Sequence, residues 1–305
     1  DEICFRESFL NCQDQIYSEE YCDFIGNRSL IESKYTLDCK QPLGAMFASL
    51  YLKLSNGYED GTVYGYYNIP KLFGLQDTGS MESSGILQVR ENSDLKLDGS
   101  SVLIGFVDTG IDYAGSIFLK QDGTTRVTAI WDQTIPAGSP IRLPVQPELS
   151  ETLENITRTP EGFLYGSEFT HEQLNAAVKM EDAYEGISSR DEIGHGTFLA
   201  SIAAGNELPD GSFTGAAPKA DIAMVKLKPA KNRLRAYYQI KEDAVAYQEN
   251  DIMAGVLYLV SLAKKRQQPL VICLGLGTNA GSHRGGLPLA RMLEEEKRLV
   301  RMTSY

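Results

Sequence analysis

Residues 102–112 read Val-Leu-Ile-Gly-Phe-Val-Asp-Thr-Gly-Ile-Asp, an apolar run that ends in an acid and a tight glycine turn. A half-buried strand alternates apolar and polar residues. An unbroken run suits a strand covered on both faces, as in a parallel sheet, and would deliver Asp108 at its C-terminal end. Further on, Gly194-His195-Gly196-Thr197 leads into Phe198-Leu199-Ala200-Ser201-Ile202-Ala203-Ala204, small and apolar residues that suit a packed helix. Two more buried strands are predicted over 221–227 and 270–274. Between them Ile252, Gly255, Val256, Leu259, Val260 and Ala263 keep the helical period, with Asn250 as N-cap, and 289–300 form a charged amphipathic helix. Strands separated by helices of this length imply right-handed crossovers and an α/β fold with a parallel sheet. The Pro/Gly/Thr-rich stretch from Asp122 to Ser189 is expected to form loops over the sheet's rim, with Trp131 anchoring a core.

Outside that region the chain changes character. Residues 1–88 form a separate small α+β unit, 89–101 a linker, and 102–305 the α/β region. A net charge of -12 argues against non-specific binding to nucleic acid or an anionic membrane. No apolar stretch approaches the roughly 18 residues needed to cross a bilayer. Four of the five cysteines (Cys4, Cys12, Cys22, Cys39) fall in the first 39 residues, in no zinc-like spacing. They are expected to be buried or half-buried thiols, with one disulfide among the four as the alternative. Cys273 falls in a buried strand, and a reducing compartment is favoured.

An acid at a strand end followed by a Gly-His-Gly-Thr helix start resembles the subtilisin-like serine proteases, the subtilases. The resemblance implies that Asp108 orients and stabilises His195, which acts as general base and then general acid. Residues 213–218, Phe-Thr-Gly-Ala-Ala-Pro, followed by the Asp221 strand, are similar to the family's Gly-x-Ala-Pro stretch. Residues 271–277 are similar to the strand whose backbone pairs with an extended substrate. Gly275, Leu276 and Gly277 would then line the substrate site by β-augmentation, with Gly275 standing where the family usually has serine. The opposite substrate-binding strand should follow Leu227, but residues 228–250 hide its position. The wording of 122–126, 130–133, 247–252 and 277–283 resembles the subtilase branch that includes the spore-germination proteases of anaerobic spore-formers. That implies a bacterial protein, in a reducing compartment or spore rather than secreted. Residues 1–88 would be a propeptide, chaperone and inhibitor at once, with Gly85-Ile86-Leu87-Gln88 in the substrate groove and cleavage after Gln88. Structural calcium is common in the family, but no ligand cluster stands out, and no metal site or other cofactor is assigned.

The pattern breaks after residue 277. The family's Gly-Asn segment for the oxyanion and its Gly-Thr-Ser helix start for the nucleophile do not occur there. His171 and His283 are taken as polar loop residues. The expected partners are a peptide or protein substrate and the remaining C-terminal half of the protease domain, which would cover an otherwise open strand edge. The leading expectation is a serine endopeptidase of which this chain supplies Asp and His, inactive by itself for want of the nucleophile. The alternatives are an inactive pseudoprotease or truncated subtilase that binds a partner through the groove, and an α/β binding domain with a coincidental Asp/His pair.

Overall fold

The computed structural model describes residues 12–36, 38–53, 66–75, 97–144, 156–210, 213–281 and 284–302. The chain begins with a helical turn over 12–17. After it come β1 (Tyr21–Asn27), α1 (Arg28–Lys34), β2 (Lys40–Leu43), β3 (Phe47–Lys53) and β4 (Leu72–Leu75). The second part runs β5 (Leu103–Asp108), β6 (Val127–Asp132), β7 (Ser167–Thr170), α2 (His171–Val178), α3 (Ala183–Gly186) and α4 (His195–Ala204). It continues with β8 (Asp221–Lys226), α5 (Asn232–Tyr237), β9 (Tyr247–Gln248), α6 (Glu249–Arg266), β10 (Leu270–Cys273), β11 (Leu276–Gly277) and α7 (Pro288–Met302).

The central sheet has the order β10-β5-β8-β6-β7. Its first four strands are parallel and β7 closes it antiparallel to β6. The residues of β5 divide between its two faces in the pleat's period of two. Leu103 and Val107 join the cluster around α6, while Ile104 and Phe106 join the cluster around α4. Contact with α6 is close because its Gly255 lies against Val107 and Val225, whose γ-carbons would stand 3.0 and 3.1 Å from an added Cβ. Asp108, next in the alternation after Phe106, therefore falls on the α4 side.

The stretch from 122 to 189 corrects the expectation of rim loops. It contributes β6, buried along its whole length, together with β7, α2 and α3. Val127-Thr128-Ala129-Ile130-Trp131 is a strand-forming run of β-branched and apolar residues set among prolines and glycines that mark its flanking turns. Trp131 does anchor the core, fully buried, its indole N–H donating to the Tyr165 carbonyl. Asn250 is a second correction. Helix α6 starts two residues earlier, at Glu249, with Gln248 at the N-cap position and no side-chain cap. The Asn250 amide is instead buried and donates to Asp23. His171 is a third: it opens α2, its Nε2 3.0 Å from the Thr125 carbonyl. His283 lies outside the described residues.

The first part has its own antiparallel sheet, ordered β1-β3-β2. One face packs on α1 through Phe24, Ala48, Leu50 and Ile31. The other sends Ile25, Leu43 and Tyr51 into the core around α6. Cys12 and Cys39 form a disulfide, which corrects the reading of both as thiols. The turn over 12–17 folds back onto the approach to β2 and brings the two Cα atoms within 5.4 Å, inside bonding reach. Cys22 and Cys273 remain thiols. No described helix is long and apolar enough to cross a membrane.

Candidate active site

Asp108 ends β5 and His195 begins α4, and the fold brings these two sequence-predicted residues together. His195 Nδ1 lies 2.8 Å from Asp108 Oδ1, which also accepts from the Thr109 backbone N–H at 2.7 Å. The Asp108 side chain is 1 % exposed and the His195 side chain 16 %, so the acid is sealed while the imidazole reaches the surface. Burial pushes the Asp108 carboxyl above its ordinary range, opposed by the bonds from His195 and Thr109. The other carboxylate oxygen, Oδ2, is buried and accepts no hydrogen bond from the described residues.

The glycines around His195 have separate tasks. Gly194 takes a left-handed conformation (φ 87°) that turns the chain into α4. Gly196 rests on the turn after β5, where an added Cβ would meet the Gly110 carbonyl oxygen at 2.2 Å. This contact sets α4 down on the end of β5.

The sequence reading gave no role to Asp191. In the structure it gathers four donors from around the pair. Its Oδ1 accepts from Thr109 Oγ1 and the Gly194 N–H, at 2.7 and 2.8 Å. Its Oδ2 accepts from the N–H and Oγ1 of Thr197, at 2.8 and 2.7 Å. Burial alone would raise this carboxyl, but the donors from Thr109, Thr197 and Gly194 outweigh it and hold the group below its ordinary range. The signal that could have revealed it is its place in Asp-Glu-Ile-Gly-His, one short loop ahead of a helix start.

Gly275 also meets the pair. A Cβ there would stand 3.1 Å from His195 Cε1, 3.2 Å from Asp108 Oδ2 and 2.2 Å from Leu199 Cδ1. Leu199, one turn after His195 on α4, fills the space a side chain at 275 would need. The thiol of nearby Cys273 is kept protonated by burial and by the Asp108 charge, which both push its pKa up.

Leu276 and Gly277 form β11, which pairs antiparallel with β4: Leu276 opposite Leu75 and Gly277 opposite Gly74. On its other side β4 pairs antiparallel with β9, Leu72 opposite Gln248 and Phe73 opposite Tyr247. The chain's own Leu72–Leu75 thus fills a slot between two short strands beside the Asp–His pair. Strand β9 lies within residues 228–250, the stretch in which the sequence left a second strand unplaced. Gly85–Gln88 lie outside the described residues, downstream of the segment seated here. Among the described residues no group of three or more His, Cys, Asp or Glu side chains is placed to hold a metal ion.

Comparison with known proteins places the chain's family. The model of the subtilase family of S8 peptidases matches residues 99–298. The chain is 28 % identical over 166 residues to the subtilisin-like protease SBT3.5 of Arabidopsis thaliana, covering 52 % of this chain and 19 % of that protein. It is 31 % identical over 136 residues to SBT3.8 of the same plant, covering 42 % of this chain and 16 % of that protein. Among solved structures, that of the Clostridium perfringens CspB protease superposes with a TM-score of 0.50 at 30 % identity, over 69 % of this chain and 36 % of that one. The chain thus aligns with under a fifth of the plant proteins' length and about a third of the CspB chain. The family match spans both Asp108 and His195 and the sheet that carries them, and on it the chain belongs to the subtilase family.

Proposed function

We propose that this chain supplies the acid–base half of a serine endopeptidase. Asp108 orients His195 and stabilises its charged form. His195 takes the proton of a nucleophilic hydroxyl as it attacks a peptide carbonyl, then returns a proton to the leaving amine. The observation that carries this reading is the 2.8 Å bond between His195 Nδ1 and a fully buried Asp108. With Asp108 ionised, that bond places the imidazole proton on Nδ1 and leaves Nε2 as the unprotonated, basic nitrogen. The nucleophile and the oxyanion donors would come from residues outside these 305. Strand β10 lies at the edge of its sheet, with Val271 56 % exposed, which supports a further strand closing that side.

The slot between β9 and β11 is the proposed substrate site. Its antiparallel pairing on both sides would hold an extended peptide by backbone hydrogen bonds. Strand β4 fills it as a product would, and this supports reading the N-terminal unit as an inhibitory propeptide whose tail includes Leu72–Leu75. The test is labelling by a fluorophosphonate probe, read by intact mass, on this chain with and without an added C-terminal subtilase segment that carries the family's Gly-Thr-Ser helix start. Labelling on a serine of that segment, lost in His195→Ala, is the expected result. Labelling in neither form would overturn the protease reading and leave a groove that binds without cutting.

A further inference from the structure

The two members of the Asp–His pair sit on different elements, so their 2.8 Å bond lasts only while the start of α4 stays fixed on the end of β5. We propose that Asp191 is the positioning residue of this pair: its carboxylate ties both elements together and keeps His195 Nδ1 on Asp108 Oδ1. The assignment rests on reading Asp108 and His195 as the acid–base pair.

A threonine hydroxyl has one proton to give and lone pairs to accept with. Thr109 and Thr197 both give theirs to Asp191. Their lone pairs are then turned toward backbone donors of the opposite element. Thr109 Oγ1, next to Asp108, accepts the Gly196 N–H of α4 at 2.8 Å. Thr197 Oγ1, on α4, accepts the Asp112 N–H of the segment after β5 at 3.0 Å. One carboxylate therefore sets the direction of two relays that cross between the elements in opposite senses, one beside each member of the pair. Only an acceptor on both oxygens can do this. An asparagine would present an NH2 group to two of the four donors and break at least one relay. The flanking residues are held independently, since Lys226 Nζ donates to the Arg190 carbonyl and to Glu192 Oε2, each at 2.6 Å. Substituting Asp191 thus leaves the loop anchored to β8.

The test is proton NMR on this chain, following the far-downfield resonance of the His195 Nδ1 proton shared with Asp108. This reads the pair's hydrogen bond without requiring hydrolysis. Asp191→Asn is expected to lose the resonance or move it upfield while the amide spectrum keeps its folded dispersion. Thr109→Val should do the same and Thr109→Ser should restore the resonance, because the hydroxyl is what matters. If Asp191→Asn does not fold, the Thr109 pair of variants decides alone. A folded Asp191→Asn or Thr109→Val chain with the resonance unmoved overturns the proposal. Absence of the resonance in the parent chain would instead strike at the Asp–His pair, and remove what Asp191 is proposed to hold.

Discussion

A side chain at position 275 would have to displace Leu199, because Leu199 Cδ1 lies 2.2 Å from where its Cβ would stand. Gly275→Ser is therefore expected to cost about 1–3 kcal/mol by overpacking. Adding Leu199→Ala should return part of that loss, and a urea-melt double-mutant cycle that shows purely additive costs would refute the contact. Asp108 carries a different cost. Its carboxyl is raised by burial, so between its unfolded and folded pKa the native state binds more protons than the unfolded chain. Its contribution to stability is full below the unfolded value, about 3.9, and falls away as pH rises through the folded one. Asp108→Asn should accordingly raise the melting temperature at pH 7 and leave it nearly unchanged near pH 3. On the proposed function, the same substitution should also abolish the fluorophosphonate labelling, because His195 would lose the ionised acid that orients it. The meeting of Asp108 and His195 was legible in the sequence because a strand-end acid and a glycine-flanked histidine at a helix start are both local patterns. Asp191 was not, because an acid in the run Arg-Asp-Glu looks like solvated surface until its donors are seen.

Legibility changes from one element to the next. Strands β5 and β8 and helices α4, α6 and α7 were visible, because each is a run with one period or with none. Strand β10 was visible as an apolar run, but it is a four-residue edge strand with no residue fully buried, which corrects the expectation of a buried strand. Strand β6 was not, although it is the inner strand between β8 and β7. Its six residues sit in a stretch whose average composition is that of a loop. Strand β9, two residues long, offers no period to detect. The weight of β6 is carried by Trp131, whose ring centroid lies 4.7 Å from that of Phe163, 5.3 Å from Tyr165 and 5.4 Å from Tyr258. Tyr258 belongs to α6 and the other two precede β7, so one indole joins β6, α6 and the approach to β7 within the core around α6. Trp131→Ala should cost about 3–5 kcal/mol in urea unfolding. A loss under 1 kcal/mol would mean that β6 is not the buried strand described here.

At the scale of the whole molecule, what joins the N-terminal unit to the α/β region is a buried charge as well as a shared apolar core. Asp23 on β1 pairs through Oδ1 with Lys231 Nζ. Its Oδ2 accepts from Gln248 Nε2 at 2.9 Å and Asn250 Nδ2 at 3.1 Å. The neighbouring Lys228–Asp251 pair, at 2.7 Å, is equally enclosed, so two lysines and two aspartates balance inside the joint. The sequence indicated two units but could not indicate this contact, whose partners lie 208 and more residues apart. Asn250 was misread for the same reason: a helix-start asparagine is taken locally as a cap, while its amide serves a carboxylate from the other unit. The joint makes an asymmetric prediction. Asp23→Ala leaves the Lys231 ammonium buried without its counter-charge, and should cost about 3–5 kcal/mol. Asp23→Leu with Lys231→Met removes both charges and should recover most of that loss. Chemical denaturation, followed by trypsin cleavage within residues 12–53, reads both stability and docking. If the single and double variants lose stability equally, the pair's charge is not what holds the units together, and the apolar contacts of Ile25, Leu43 and Tyr51 carry the joint instead.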